Sequence, residues 1–517
     1  MSSGKRMLGG FLTVGSWTLL SRVLGFARDV MIAAFLGTGP AAQAFIVAFS
    51  LPNMFRRFFA EGAFNMAFVP MFSKKLEADD DPLGFARDAF SGLATVLIVF
   101  TVVAMFAMPW LVWAMASGFV GDERFDLSVT YGRIAFPYIL FISLAALLSG
   151  VLNAMRRFTA AAAAPVLLNV IFIAALVASS AMGWDIGLIL AWMVPLAGIA
   201  QLALVWVAAS RAGFTLTPKR PVLTPDLKRL AIIAAPAALA GGVVQVNLLV
   251  GRQVASQFDS AVAWLYNADR LYQLPLGVVG IAIGIVLLPE LSRRLQAGDE
   301  TGGQDAFSRA GEISLALTIP AAVALVVIPL PLVEVLFQRG LFGPDDTAAT
   351  AAAVQIYGLG LPAFVLQKIY QPLFFARADT KRPFYYALVA MVINAALAIG
   401  LAPTIGYLAA AIGATLASWG MVVLLWLGSR KMGISARLDR RFRARIWRIT
   451  VASLLMGVVL IAAQLVLNPM FVAGAWRYLA LTLLVLIGIL SYFGTGQLIG
   501  AFKISDFRRS MRRSGRR

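Results

Sequence analysis

Charged side chains interrupt three strongly apolar stretches of this 517-residue chain. The stretches begin SRVLGFARDV at Ser21, LPNMFRRFFAEGAF at Leu51 and YNADRLYQLP at Tyr266. The charges inside them are Arg22, Arg28 and Asp29, then Arg56, Arg57 and Glu61, and finally Asp269 and Arg270. An arginine at the centre of a bilayer costs about 2.5–3.5 kcal/mol on insertion scales. We therefore expect these residues to face a wet cavity or to pair with one another.

Within these stretches the cations outnumber the acids, and this excess favours an anion as the ligand. The guanidinium group stays charged and offers a planar fork of donors that matches phosphate oxygens. The candidate anion-binding residues are Arg22, Arg28, Arg56 and Arg270. The alternative is that the same arginines only bridge helices through acids and backbone carbonyls.

Further charged residues could support such a site, either by balancing the arginines or by adding positive charge. The acids are Asp29, Glu61 and Asp269, and the added cations of the second half are Arg252 and Lys368. Arg57 and Glu61 are four residues apart, a spacing at which helix neighbours form ion pairs. We expect that pair to be structural rather than ligand-binding.

Gly25 lies between the two arginines of the first stretch. On a regular helix Arg22 and Asp29 share one face, whereas Arg28 lies about 120° from Arg22. A bend at Gly25 would let both arginines reach one cavity, because kinks commonly occur at glycine. We therefore expect Gly25 to act as a hinge. Asp29 is either the structural partner of an arginine or part of a gate.

The composition identifies the chain as an integral membrane protein. Hydrophobic residues make up 60% of it and charged residues 13%, with a mean hydropathy of +0.83, whereas soluble domains have about 25% charged residues. The chain has no cysteine and no histidine, which excludes disulfides, thiolate nucleophiles and zinc sites built from these residues. It also lacks nucleotide-binding and hydrolase motifs. We expect no catalytic site, metal or cofactor.

The apolar runs predict fourteen transmembrane helices, because a span needs about 20 mostly apolar residues. Their approximate limits are 11–37, 42–72, 86–116, 128–154, 160–182, 186–210, 229–257, 261–291, 307–337, 348–375, 384–402, 406–428, 448–468 and 474–499. The predicted fold is an all-α polytopic membrane protein.

Loop charges orient these spans. Basic residues follow the even-numbered spans, as at Lys74, Lys75, Arg156 and Arg157, whereas opposite loops such as GTGPAAQ and APTIGY contain none. Because basic loops stay in the cytoplasm, we expect both termini to be cytoplasmic. Most of the net charge of +19 is then an orientation signal, not a nucleic-acid surface. The basic tail can also contact anionic lipid headgroups.

An internal repeat divides the chain into two halves. Pro137 and Asn169 recur with the same spacing as Pro362 and Asn394, and PMFSKKL resembles the later PELSRRL. Repeats of this kind are typical of transporters with two lobes around a cavity. The predicted divisions are an N-terminal lobe over 1–215, a C-terminal lobe over 216–435, and two extra helices with a basic tail over 436–517.

The sequence resembles a known family over essentially its full length. SRVLGFARDVMIAAFLG, LPNMFRRFFAEGAFNMAFVP, NADRLYQLPLGVVGIAIGIVLLPELSR and PLFFARADTKRP are similar to motifs of the MurJ (MviN) family of lipid II flippases. The resemblance implies two pseudo-symmetric six-helix lobes of the multidrug/oligosaccharidyl-lipid/polysaccharide exporter type. It also implies two extra helices that form a groove for a polyprenyl tail.

The resemblance also implies roles for individual residues. It implies that Arg22, Arg28 and Arg270 hold the diphosphate and sugar region of the lipid. Arg56 is implied to be functionally important, as is Glu61. The family often has an aspartate in the first external loop region, where this chain has Gln43, so a role for that acid does not carry over here.

Residues and resemblance together predict a flippase for lipid II, undecaprenyl-diphosphate-MurNAc-pentapeptide-GlcNAc. We expect it to move this peptidoglycan precursor from the cytoplasmic to the periplasmic leaflet of the bacterial inner membrane by alternating access. Lipid II and membrane lipids are the expected partners, and nucleic acid is not. The alternatives are a flippase for another polyprenyl-diphosphate-linked glycan, a cation-coupled drug antiporter of similar fold, and a membrane enzyme acting on the lipid.

Overall fold

The computed structural model describes residues 3–57 and 63–501, with side chains over 13–57, 67–234, 249–277 and 287–501. This part of the chain is all-α, which confirms the predicted fold class. Its helices are α1 (Ser3–Leu36), α2 (Pro40–Arg56), α3 (Ala63–Ala78), α4 (Pro82–Phe106), α5 (Met108–Met115), α6 (Glu123–Ala135), α7 (Tyr138–Ala154), α8 (Thr159–Met182), α9 (Ile186–Arg211), α10 (Pro225–Ala255), α11 (Ala261–Gln296), α12 (Glu300–Val327), α13 (Pro329–Phe337), α14 (Pro344–Phe375), α15 (Lys381–Ile405), α16 (Leu408–Ser429), α17 (Arg440–Val472) and α18 (Trp476–Leu498).

Each predicted span coincides with one of these helices or with a consecutive pair of them. Within the described residues, ten helices are long and apolar enough to cross a membrane. The chain is therefore a multi-span membrane protein. The count of fourteen spans itself stays a prediction.

Within the described residues, three predicted spans are each divided into two helices. The divisions lie between α4 and α5, between α6 and α7, and between α12 and α13. Proline lies in the first turn of α5 and begins α13. Because proline lacks an amide hydrogen and clashes with the preceding turn, it favours a helix start over a helix interior.

The first of two compact units comprises Met1–Ala263 together with Arg339–Phe342. Its core is formed by buried residues of α1, α2, α6, α7, α8 and α9, among them Phe45, Tyr131, Phe172 and Val194. α10 belongs to this unit, although the repeat assigns it to the second half of the sequence. The predicted lobe boundaries at 215 and 435 follow the repeat and remain a prediction.

The second compact unit comprises Trp264–Gln338 and Gly343–Arg517. One of its cores includes Phe307, Ile369 and Phe374. A separate core packs α17 and α18 against α12 and α13. Both cores consist of apolar side chains, as expected for helices that associate in a membrane mainly by packing.

A buried acid links two helices of the second unit. Glu312 of α12 is 5% exposed and forms ion pairs with Arg309 and with Arg445 of α17, the latter at 3.3 Å between Nη1 and Oε2. Arg309 also pairs with Asp439, which caps α17 by accepting a hydrogen bond from the Phe442 amide at 2.6 Å. The charges in this network balance one another, so their burial is tolerated.

The helix boundaries repeat along the chain with a nearly constant offset. The offset between the starts of α8 and α15 equals the offset between the starts of α9 and α16. The pair α5 and α13 and the pair α6 and α14 share an offset that is shorter by a single residue. These offsets are larger than the offset between PMFSKKL and PELSRRL and smaller than the offset between Pro137 and Pro362. The internal repeat is therefore present in the helices themselves.

The same helix ending occurs in both copies of the repeat. The amide of Arg157 donates to the carbonyl of Leu152 at 2.8 Å, and the amide of Asp379 donates to that of Phe374 at 3.0 Å. In each turn the residue before the donor, Arg156 or Ala378, has a positive φ of 59° or 57°. These are helix ends of the Schellman type, and they recur with the same offset as the starts of α8 and α15.

Candidate functional site

Arg28 and Asp29 form a buried ion pair in α1. Arg28 Nη2 donates to Asp29 Oδ1 at 2.7 Å, and Arg28 Nε donates to the same oxygen at 3.0 Å. The two residues are 8% and 3% exposed. Arg28 is therefore not one of the uncompensated cations that the sequence predicts, because its long side chain folds back onto the adjacent carboxylate. Asp29 is the partner of an arginine, the first of the two roles expected for it.

Asn169 of α8 completes the surroundings of the guanidinium. Its Oδ1 accepts a hydrogen bond from Arg28 Nη1 at 3.0 Å, while its Nδ2 donates to the Ser21 carbonyl at 2.9 Å. A methyl group added at Gly25 would lie 3.5 Å from Asn169 Nδ2. The amide therefore fixes Arg28 and also holds α1 against α8 near Gly25. We did not predict this role, although a lone asparagine in an apolar span is itself a functional signal.

Two aromatic rings cover the Arg28 guanidinium. Its central carbon lies 5.9 Å from the centre of the Phe49 ring and 5.7 Å from that of Phe172. The rings themselves are in contact, with their centres 5.7 Å apart. A cation over an aromatic face is stabilised electrostatically, and more strongly where water is excluded. Arg28 thus contacts one acid, one amide and two aromatic rings.

The other candidates of the first unit lie on the same helix or on its neighbours. Arg22 is exposed on α1, and the partly buried Arg56 is the last residue of α2. Arg252 of α10 donates from Nη1 to the sulfur of Met115 at 3.6 Å. Glu61 lies outside the described residues, so the predicted Arg57–Glu61 pair is untested. α1 runs without interruption through Gly25, and the hinge stays a prediction.

The candidates of the second unit lie on α11 and α14. Arg270 is partly buried and lies over the Tyr266 ring, with its guanidinium carbon 4.4 Å from the ring centre. Its neighbour Asp269 accepts a hydrogen bond from Gln273. Lys368 is exposed on α14.

The sequence of the chain matches one family along most of its length. The model of the family described as "Lipid II flippase MurJ" matches residues 32–487. The chain belongs to the MurJ family. Among its relatives, "Probable lipid II flippase MurJ" of Rhizobium meliloti (strain 1021) is 44% identical, over 97% of this chain and 96% of the relative. "Lipid II flippase MurJ" of Burkholderia cenocepacia is 38% identical, over 82% of this chain and 84% of the relative.

Solved structures give the same result for the fold. A structure described as "Lipid II flippase MurJ, inward closed conformation" matches with a TM-score of 0.78 at 23% identity, covering 94% of this chain and 98% of that one. An inward-facing multidrug resistance MATE family transporter matches with a TM-score of 0.66 at 14% identity, covering 85% and 99%. The MurJ-family chain thus shares its fold with the wider MOP superfamily.

In this MurJ-family chain one candidate cluster is fully assembled. Arg28, Asp29 and Asn169 meet through hydrogen bonds of 2.7–3.0 Å, with Arg22 exposed further back along α1. An ion pair held by a third polar group is pre-organised, so little rearrangement is needed when a ligand exchanges with one partner.

Proposed function

We propose that this chain is a flippase for lipid II. Its membership of the MurJ family carries the proposal, because the family match covers residues 32–487 and two relatives with that printed function are 44% and 38% identical. The proposed direction is from the cytoplasmic to the periplasmic leaflet of the bacterial inner membrane, by alternating access. The product is then available for cell-wall synthesis.

The proposed substrate contacts are the arginines of the apolar stretches. We assign the diphosphate to Arg22, Arg28, Arg56 and Arg270, since guanidinium donors match phosphate oxygens in pairs. Arg28 enters this set with its charge already balanced by Asp29. A diphosphate therefore competes with Asp29 for the guanidinium, and binding weakens that ion pair. Supporting roles for Asp269, Arg252, Lys368 and Glu61 belong to the same proposal.

In the proposed cycle, the ion pair of Arg28 and Asp29 couples ligand binding to a conformational change. A ligand shifts a conformational equilibrium only through a difference in its affinity for the two states. A diphosphate that displaces Asp29 from Arg28 changes the local charge at the contact between α1 and α8. This change supplies such a difference, and it does not require a nucleotide. The membrane potential acts on any net charge that moves, by about 2.3 kcal/mol per charge per 100 mV.

The proposed orientation places both termini in the cytoplasm. The basic loops after even-numbered spans support it, because positively charged loops are retained on the cytoplasmic side. The proposed lobes, 1–215 and 216–435, follow the helix repeat, and 436–517 adds α17 and α18. A polyprenyl tail is an apolar ligand suited to these last helices, whose exposed residues include Leu465, Val466 and Leu490.

The experiment that tests the proposal is complementation in bacteria depleted of their own lipid II flippase. We expect this chain to restore growth and to restore exposure of labelled lipid II on the outer leaflet. Cells that carry an empty vector give the baseline, and immunoblots of membranes control for insertion. Normal insertion with lipid II still confined to the cytoplasmic leaflet would reject the proposal. Export of another polyprenyl-diphosphate glycan or of a cationic drug instead would support a rival.

A further inference from the structure

The loop between α16 and α17 is packed into the second compact unit. We call this loop, residues 430–439, the α17 linker. Ser435 within it is 0% exposed and Ala436 is 7% exposed, while Met432 and Leu438 pack against the core to which α14 contributes. A buried loop needs partners for its backbone polar groups, and these partners show what the linker is fastened to.

Arg377, just after the end of α14, holds the α17 linker from one side. Its Nη2 donates to the carbonyl of Met432 at 2.8 Å and to Oγ of Ser435 at 2.7 Å. Its Nη1 donates to the carbonyl of Leu373 at 2.9 Å, one of the last four carbonyls of α14, which have no donor within the helix. One guanidinium therefore closes the end of α14 and fastens the linker to it.

Glu300, in the first turn of α12, holds the α17 linker from another side. Its Oε2 accepts a hydrogen bond from the amide of Ser435 at 2.9 Å. Gly433 of the linker has a φ of +87°, and a Cβ atom there would lie 3.0 Å from the same oxygen. Positive φ is freely available only to glycine, so Gly433 permits this close approach. The linker is thus bound to both α12 and α14.

The α17 linker sets the position at which α17 begins. Its last residue, Asp439, caps α17 through its side chain, and the Asp439 amide donates to Oγ of Ser308 in α12 at 3.1 Å. α18 packs with α17 in a shared core, so its position follows from that of α17. These are the two helices whose exposed apolar residues we assign to the polyprenyl tail.

The internal repeat shows that Arg377 is specific to the copy that α17 follows. In the matching turns after α7 and α14, the residue two before the amide donor is Met155 in the first copy and Arg377 in the second. A methionine side chain has no hydrogen-bond donor. The loop after α9 is held differently, because Arg87 of α4 donates from Nε to the carbonyl of Thr215 at 3.2 Å. The guanidinium at this turn is therefore not needed to build a lobe.

We propose that Arg377 is a positioning residue for the polyprenyl tail of the substrate. It acts through the α17 linker, which fixes where α17 and α18 lie against α12, and it does not contact the lipid itself. The proposal rests on the proposed function, since it takes lipid II as the substrate and α17 and α18 as the helices that bind its tail. Loss of Arg377 then weakens binding of a long tail and leaves recognition of the head group unchanged.

The test compares binding of two forms of lipid II that share one head group, one with an undecaprenyl tail and one with a farnesyl tail, to the full chain in nanodiscs. We expect Arg377→Ala to lower the affinity for the undecaprenyl form about tenfold, because loss of burial of two methylene groups is sufficient for such a change. The affinity for the farnesyl form should stay the same, since a short tail covers little of α17 and α18. Arg382→Ala is the matched control. Arg382 lies near the same turn but pairs with Asp379 at 3.3 Å, so neither affinity should change.

A second measurement follows the position of α17 directly. The natural chain contains no cysteine, so spin labels can be attached through Leu359→Cys in α14 and Leu454→Cys in α17, both of which are exposed. We expect one narrow distance distribution in the parent, a broader or shifted one with Arg377→Ala, and an intermediate one with Arg377→Lys, because lysine keeps the charge but loses the fork of donors. Ser435→Ala removes a single acceptor, and it replaces Arg377→Ala if that variant does not insert.

The outcomes separate the role of Arg377 from the function of the chain. An equal loss of affinity for both forms of lipid II would show that Arg377 supports the fold as a whole, and it would overturn the proposal. Unchanged affinity of Arg377→Ala for the undecaprenyl form, or an unchanged distance distribution, would also overturn it while leaving the flippase function intact. Absence of binding of either form to the parent chain would instead overturn the proposed function.

Discussion

Arg28 and Asn169, which are 141 positions apart in sequence, are joined by a hydrogen bond of 3.0 Å between Nη1 and Oδ1. The same amide side chain donates to the carbonyl of Ser21 at 2.9 Å. One residue of α8 therefore fixes both the guanidinium and the helix turn that precedes it. The position of Arg28 depends on the contact between α1 and α8, and not on α1 alone.

Asn169→Ala tests this dependence. We expect transport of lipid II to fall about 10- to 100-fold, because hydrogen bonds to charged groups contribute about 1.5–3 kcal/mol and the guanidinium loses one of its two polar partners. The measurement is outer-leaflet exposure of lipid II at matched protein levels. Gln201→Ala is the control, since Gln201 is also a buried amide of the first unit and bonds Tyr138 and Ala164 instead. An equal loss in both variants would assign the effect to packing.

Substitution of the arginines tests the diphosphate assignment. We expect Arg28→Ala and Arg270→Ala each to abolish transport while leaving insertion intact, and Arg28→Lys to restore it only in part. The reason is that lysine keeps the charge but loses the two-pronged donor geometry. Growth of depleted cells and lipid II exposure are the readouts. Arg293→Ala removes an exposed arginine and serves as control. Normal growth with both alanine variants would contradict the assignment.

Gly25→Ala distinguishes a hinge role of Gly25 from a requirement for a small residue beside Asn169. A Cβ atom at Gly25 would lie 3.5 Å from Asn169, an ordinary contact, so alanine fits the structure. Alanine also favours the helix by about 1 kcal/mol over glycine. If Gly25 is a hinge, the variant should be at least as stable to heat as the parent but slower in transport. A variant that is more stable and equally active would remove Gly25 from the mechanism.

Glu312→Ala tests the buried charge network of the second unit. Removal of Glu312 leaves Arg309 and Arg445 without their shared partner, and loss of one member of a buried pair costs about 3–5 kcal/mol. We expect a large fall in the unfolding temperature in detergent. Asp305→Ala removes a mostly exposed partner of Arg309 and should cost less than about 1 kcal/mol. Similar losses in the two variants would show that Glu312 is not the centre of the network.

Asp122 gives the expected acid dependence of a loop outside the spans. Burial acts to raise the pKa of its carboxyl group, but hydrogen bonds from Arg124 and the charge of that guanidinium outweigh it, so the pKa lies below its ordinary value. The resulting stabilisation is present above the unfolded pKa of about 3.9 and is lost as the pH falls through the lower folded value. The effect is small because the Asp122 side chain is 41% exposed.

The measurement for Asp122 is the unfolding temperature against pH for the parent and for Asp122→Asn. We expect the parent to be the more stable above pH 4 and the difference to shrink below it. A difference that does not change with pH would mean that the carboxylate charge is not responsible. Asparagine retains an oxygen that can accept the Arg124 amide hydrogen bond but loses the second oxygen, which accepts from the Arg124 guanidinium, so the comparison removes the ion pair and keeps the helix cap.

The sequence was sufficient for the all-α, multi-span fold class, because long apolar runs are a local property. It also predicted the internal repeat, with offsets close to the one that the helix starts show. The division between α4 and α5 was not predicted, although Pro109 was visible. A proline in an apolar run is compatible both with a kink and with a new helix, and the choice between them is made by packing.

The arrangement around Arg28 could be predicted only in part. The sequence indicated that Arg28 lies in a membrane span and needs a partner, and helix geometry indicated that it points away from Arg22. It did not predict that the side chain returns to Asp29, because adjacent residues do not face each other on a helix. The contact with Asn169 depends on how α1 meets α8, and no periodicity of a single sequence contains that information.

The nearly constant offset of the helix boundaries has an evolutionary consequence. Helix divisions and turn endings that recur in this way indicate that one ancestral gene was duplicated and fused. In the repeat, α10 corresponds to α1. When the two helices are aligned by their first residues or by their last residues, Arg28 and Asp29 correspond to positions within NLLVG at Asn247–Gly251, which carries no charge. The sequence match, in contrast, places an asparagine in both copies, as Asn169 and Asn394. The two copies therefore differ in charge at this position of the helix while keeping a common helical scaffold.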